Sequence, residues 1–200
     1  ANNCEAALDA GGTFQEVVDS GIVVTVSLAV TSNYNGFDVS CYNACDGSAL
    51  VSVSGGAPPY TYLWDDPLLQ TTATAIGLCA GMYTCTVTEA NGCSSNSYVT
   101  INEPAIISSI ISFANVSCFG ANDGIIIVTV INGVGPYQYS LGGALSQSNG
   151  TFAGLTSGTY SVDVTDANGC MIFQTVVITE PPSLNMTATV THVSCFNMCD

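Results

Sequence analysis

The residues from Ile106 to Ser183 repeat, without a gap, the residues 77 positions before them. Cys118 falls on Cys41, Gly124 on Gly47, Pro136 on Pro59, Tyr137 on Tyr60 and Tyr139 on Tyr62. Further on, Tyr160 falls on Tyr83, Asn168-Gly169-Cys170 on Asn91-Gly92-Cys93, and Glu180-Pro181 on Glu103-Pro104. Val116-Ser117-Cys118-Phe119 returns once more as Val193-Ser194-Cys195-Phe196. Such a chain must fold as an array of like units, each resting on its neighbours. The period sets two full modules, 28–105 and 106–183. Residues 184–200 begin a third, and 1–27 form an N-terminal strand segment or the tail of a preceding repeat. The chain opens at Ala1 without a secretion signal, which is read as a leader removed or a fragment.

The local pattern is all-β. Ala49, Val51 and Val53 alternate with small or polar residues, as do Ile126, Val128 and Val130. Period two means a strand with one buried face. Gly/Pro turns precede Tyr60, Tyr62 and Trp64 in one module and Tyr137, Tyr139 and Leu141 in the other. Asn91-Gly92 and Asn168-Gly169 read as tight hairpin turns with positive φ. Gly21–Leu28 reads as a strand, either the first of module one or an added one. No long stretch has helical period. About seven short strands with turn signals every 8–12 residues predict tandem immunoglobulin-like β-sandwich repeats. Tyr83 and Tyr160 stand where such a fold places its corner tyrosine.

Composition narrows the partners. The chain has no Lys and no Arg, and 15 acids give a formal charge of −15. Nucleic acid is excluded as a partner, since phosphates need cations. A polybasic hold on anionic lipid is excluded too. The longest apolar run is too short for membrane insertion. Ten cysteines in 200 residues predict disulfides in an oxidising compartment.

Module two reads VSCFGANDG at 116–124, PYQY at 136–139, GTYSVDVTDANGC at 158–170 and TEP at 179–181. These motifs resemble the SprB-type repeat of large surface adhesins of gliding Bacteroidota. The resemblance covers about residues 37–200. Module one departs from it at Tyr42–Cys45, Cys79, Met82 and Cys85. It implies export by type IX secretion, a place on the bacterial cell surface, and no catalytic residues.

The candidate sites follow from the repeat. Cys41 with Cys93, and Cys118 with Cys170, give the expected pairing within each module. The alternative is a bond between modules, such as Cys41–Cys170. It arises because the first and last turns of such a sandwich lie at opposite ends, a strand length of roughly 25 Å apart, while a disulfide needs Cα atoms within about 7 Å. Cys45 and Cys79 are both missing from module two, which predicts that they pair. Cys4 and Cys85 have no partner unless each other. Cys195 and Cys199 would pair beyond Asp200 or with another chain. His192, the only histidine, makes zinc at the Cys-x3-Cys spacings a poor fit.

Recurring acids at Asp46, Glu103 and Asp166 are a candidate Ca²⁺ site at the inter-repeat junction. The competing expectation is that Asp-Gly builds turns and the acids keep the surface soluble. Tyr60, Tyr62 and Trp64 are candidate glycan-stacking residues, weighed against an ordinary core role. No constellation supports catalysis.

The sequence therefore predicts an extracellular structural or adhesive repeat protein, a disulfide-stapled building block of a filament or giant adhesin. Its partners would be neighbouring copies or repeats, head to tail, with strand donation from around Met186–Val193. The alternative is a carbohydrate-binding accessory module of a secreted protein, bound to surface polysaccharide; a weaker one places a catalytic domain outside these residues.

Overall fold

A computed structural model describes residues 4–8, 15–19 and 22–190, with side chains from Val24 to Val190. The described residues form strands and no helix. In order they are β1 (Cys4–Leu8), β2 (Gln15–Asp19), β3 (Ile22–Val30), β4 (Gly47–Ser54), β5 (Thr61–Trp64), β6 (Thr74–Leu78), β7 (Gly81–Thr88) and β8 (Ser94–Ile101). The second half gives β9 (Ser108–Ala114), β10 (Gly124–Asn132), β11 (Gln138–Leu141), β12 (Thr151–Leu155), β13 (Gly158–Thr165) and β14 (Met171–Ile178).

Two sandwiches follow one another. In the second, the sheet β12-β10-β9 faces the sheet β11-β13-β14. In the first, β5-β7-β8 faces a sheet ordered β1-β2-β3-β4-β6. All pairings are antiparallel. Strands one, two and four of each sandwich on one sheet, and three, five and six on the other, give the immunoglobulin-like arrangement. β1 and β2 extend the first sandwich's sheet beyond β3.

The period-two pattern produces this directly. Gly47, Ala49 and Val51 are buried along β4, as Gly124, Ile126 and Val128 are along β10. The first core gathers Trp64, Leu78, Val87 and Ile101; the second gathers Ile126, Tyr139, Val164 and Ile178. Gly47 and Gly124 do not supply an unusual φ. A Cβ on Gly47 would lie 2.8 Å from the Leu78 carbonyl, and one on Gly124 2.9 Å from that of Leu155. Only a residue without a side chain lets the neighbouring strand come so close.

Two expectations about local geometry change. In the Asn-Gly turns only the glycine has positive φ, 83° at Gly92 and 87° at Gly169. Gly92 N donates to the Glu89 carbonyl and Glu89 N to that of Cys93, so the turn is longer than two residues. The expected division between residues 27 and 28 falls inside β3. Leu28 pairs with Val51 as Ile111 pairs with Val128. Residues 31–37 are the cause: they intervene before Asp38, whereas Asn115 follows β9 at once. The corner-tyrosine bond is present in the second sandwich, where Tyr160 Oη donates to the Thr156 carbonyl at 3.0 Å.

Candidate functional site: the junction between the sandwiches

The recurring acids are spent on backbone N–H groups. Asp46 Oδ1 accepts from Ser40 N, and Asp123 Oδ1 from Ser117 N, both at 3.0 Å. Glu103 Oε2 accepts from Asn43 N at 2.6 Å, and Glu180 Oε2 from Gly120 N at 2.9 Å. These bonds close the same loop in each sandwich, around Cys41 and around Cys118. The loop demands a left-handed residue, which is Asn43 (φ 60°) in one and Gly120 (φ 72°) in the other.

At the opposite end, Asp166 is buried and accepts from three amides: Asn168 N at 2.9 Å, Cys170 N at 3.0 Å and Val134 N at 3.1 Å. Glu89 holds the matching place in the first sandwich. Its Oε2 accepts from Ala57 N, and its Oε1 is buried without a partner. The longer side chain satisfies fewer donors from the same position.

The loop and the turn meet. Cys41 is disulfide-bonded to Cys170, with Cα atoms 5.7 Å apart across 129 positions of sequence. The bond joins the lower end of the first sandwich to the β13–β14 turn of the second. Closing a loop of that length stabilises by roughly 5 kcal/mol on the chain-entropy account. Asn168 strengthens the joint: its Nδ2 donates to the Ser40 carbonyl at 2.9 Å and to the Tyr34 carbonyl at 3.3 Å. Its Oδ1 accepts from Asn35 Nδ2 at 2.6 Å. Tyr34 and Asn35 belong to 31–37, the stretch that has no counterpart in the second sandwich.

This arrangement overturns several expectations. The within-module pairings Cys41–Cys93 and Cys118–Cys170 do not form, because loop and turn sit at opposite ends of one sandwich. Cys93 is disulfide-bonded, but not to Cys41. Cys45 is bonded to Cys79. Cys85 is a free thiol buried in the first core, so a Cys4–Cys85 bond is absent. Burial pushes its thiol up to about 11, and the charge of Asp65 adds to the rise. The side chain of Cys4, together with His192, Cys195 and Cys199, lies outside the described residues.

Asp46, Glu103 and Asp166 are taken up singly by backbone amides: Asp46 and Glu103 each hold one amide of the Cys41 loop, and Asp166 holds those of Asn168, Cys170 and Val134. The described residues contain no group of three or more His, Cys, Asp and Glu side chains placed for a metal ion. The stacking platform is overturned as well. Trp64 is fully buried, with Nε1 donating to the Thr72 carbonyl at 2.9 Å, and Tyr60 and Tyr62 pack against the same core. Of the expected donor strand Met186–Val193, residues 186–190 are exposed and unpaired within this chain, and 191–193 lie outside the described residues.

The capped aspartates fix a pH response. At Asp46 burial alone would raise the pKa, but hydrogen bonds from Ser40 outweigh it and lower it below the ordinary 3.8. At Asp66 burial is likewise outweighed, by Gln70 and Leu68. At Asp123 the bonds from Ser117 lower it directly. A depressed folded pKa gives stability that is complete above the unfolded value and lost as pH falls through the folded one. The melting temperature should therefore hold down to about pH 5 and drop below 3.8. A melting temperature that climbs steadily to pH 2 would contradict these caps.

The strand order and the disulfide-joined ends define a class: immunoglobulin-like repeat modules linked end to end. Residues 37–69 and 110–145 each match the family model of the SprB repeat. No curated protein matches the chain. Among solved structures, the N-terminal four Ig domains of Dscam1 isoform 6.44 align at a TM-score of 0.34 and 10% identity. That alignment covers 89% of this chain and 62% of the other. The SprB match and the disulfides point to an extracellular surface protein of adhesin-repeat type, a class typical of non-enzymatic modules.

Proposed function

We propose that this chain is a load-bearing segment of a cell-surface filament or giant adhesin, exported by type IX secretion in a member of the Bacteroidota. Its sandwiches act as links, and further sandwiches of the same kind continue the line. The observation that carries this is the Cys41–Cys170 bond. It fastens one unit to the next where a flexible linker would otherwise sit. Asn168 and the 31–37 stretch limit bending at the same place. The SprB match supports the surface location.

Antibody raised against the chain should label the outside of intact producing cells, and mild protease should remove the label without lysis. Label found only after permeabilisation would overturn the proposal. The carbohydrate-binding alternative loses its main support with Trp64 in the core.

A further inference from the structure

The loop around Cys118 is built like the loop around Cys41, yet nothing is joined to it. Ser117 N and Gly120 N are held by Asp123 and Glu180, as Ser40 N and Asn43 N are by Asp46 and Glu103. Ala121 N donates to the Cys118 carbonyl at 3.1 Å, as Ala44 N does to that of Cys41 at 2.9 Å. Asn115 Oδ1 accepts from Thr179 N at 2.9 Å, as Asp38 Oδ2 does from Asn102 N at 2.8 Å. Four matched hydrogen-bond positions thus give one backbone shape in both places.

The occupant of the first loop is visible: it is the Asn168-Gly169-Cys170 turn. Asn168 donates to the Ser40 carbonyl there, and Cys170 takes the disulfide. At the second loop the carbonyl of Ser117 stands in for that of Ser40, and Cys118 is free and exposed. An open cavity of about 470 Å³ lies beside it, lined by Ser117, Phe119, Pro181, Pro182 and Leu184. Phe119 is 61% exposed and Leu184 93% exposed, so apolar surface waits at the same spot. At the first loop the corresponding apolar residues, Tyr42 and Ile107, lie next to Cys170, Met171 and Ile172 of the occupant.

We infer that the Cys118 loop is a socket for the Asn-Gly-Cys turn of a further sandwich of this kind, closed by a disulfide to Cys118. The inference rests on the end-to-end assembly proposed above and names the surface that continues it. Two thiols need an oxidant, and a small-molecule disulfide such as oxidised glutathione suffices. The incoming cysteine first forms a mixed disulfide with glutathione, releasing one glutathione thiol. The Cys118 thiolate then attacks the protein sulfur of that mixed disulfide and expels the second glutathione as thiolate. One protein disulfide forms and one oxidised glutathione becomes two thiols. Cys85, buried and with its pKa raised, stays out of this exchange.

The test is a chain extended after Ser183 by a second copy of residues 107–183, with Cys118→Ser in the added copy only. It is refolded in a glutathione buffer and mapped without reduction. The expected map joins Cys118 to the added copy's Asn-Gly-Cys cysteine and keeps Cys41 joined to Cys170. Replacing the asparagine of the added turn by alanine should lower the yield of that bond at least several-fold. Amide exchange protection in the added β-strands shows whether the added sandwich has folded. A folded added sandwich with Cys118 still open to iodoacetamide, or with Cys118 consumed in Cys118–Cys118 dimers, overturns the socket. Should the added copy fail to fold, a synthetic peptide of residues 158–178 with its cysteine activated as a mixed disulfide replaces it. Equal capture of that peptide and its Asn168→Ala form by Cys118 then overturns the socket. If Cys41–Cys170 itself is missing from the map, the end-to-end assembly fails instead.

Discussion

Pulled from its two ends, the oxidised chain is expected to withhold most of its length. Force that arrives at Cys41 crosses the disulfide to Cys170 without running through the chain between them, a sequence separation of 129. Extended chain spans at most about 3.4 Å per residue, so opening this disulfide should add up to about 430 Å of extension in a single-molecule trace. Cys170→Ser should add only part of that, because Cys45–Cys79 remains closed inside the loop. Traces of equal final length with and without reductant would remove the load-bearing proposal's central support. The strands most protected are β4–β8 and β9–β13, which the disulfide takes out of the line of tension.

The second large effect concerns Trp64. The ring is fully buried at the centre of the first core. Replacing such a side chain by alanine costs about 3–5 kcal/mol, which lowers the melting temperature of a sandwich this size by about 15–30 °C. The second sandwich offers an internal control, since it carries Leu141 at the same repeat position. Calorimetry of Trp64→Ala should show the first sandwich melting well below the second. A folded variant of unchanged stability would return Trp64 to the surface and revive the stacking alternative.

The fold was legible because the repeat and the period-two burial act locally. Ala49, Val51, Ile126 and Val128 announce one-faced strands, and doubling the pattern 77 positions later identifies the unit. Tyr160 announced its corner bond for the same reason. The junction was harder to read. A disulfide between modules depends on which end of the sandwich each turn occupies, and periodicity is blind to that. Strand length against disulfide reach raised Cys41–Cys170 as an alternative but could not choose it.

Asn168 was missed because Asn-Gly already had a sufficient explanation as a turn. The ungapped 77-residue alignment also hid the extra residues within 31–37, which the strand register leaves unmatched before Asp38 and which supply Tyr34 and Asn35 to the joint. The acids misled in another way. Their recurrence suggested a shared ion, whereas Asp46 and Glu103 satisfy amides of the Cys41 loop and Asp166 those of the β13–β14 turn. Gly47 and Gly124 were read with their aspartates as turns, though their role is to admit a neighbouring backbone.

A chain without Lys or Arg has consequences for the water it can live in. Its carboxylates are anchored by amide dipoles rather than by cationic side chains. Dissolved salt therefore has almost no attraction between opposite charges to weaken. What it does weaken is the repulsion among fifteen acids, over a screening distance of about 8 Å at physiological strength and about 3 Å at 1 M. Brine should tighten these sandwiches where it loosens proteins laced with ion pairs.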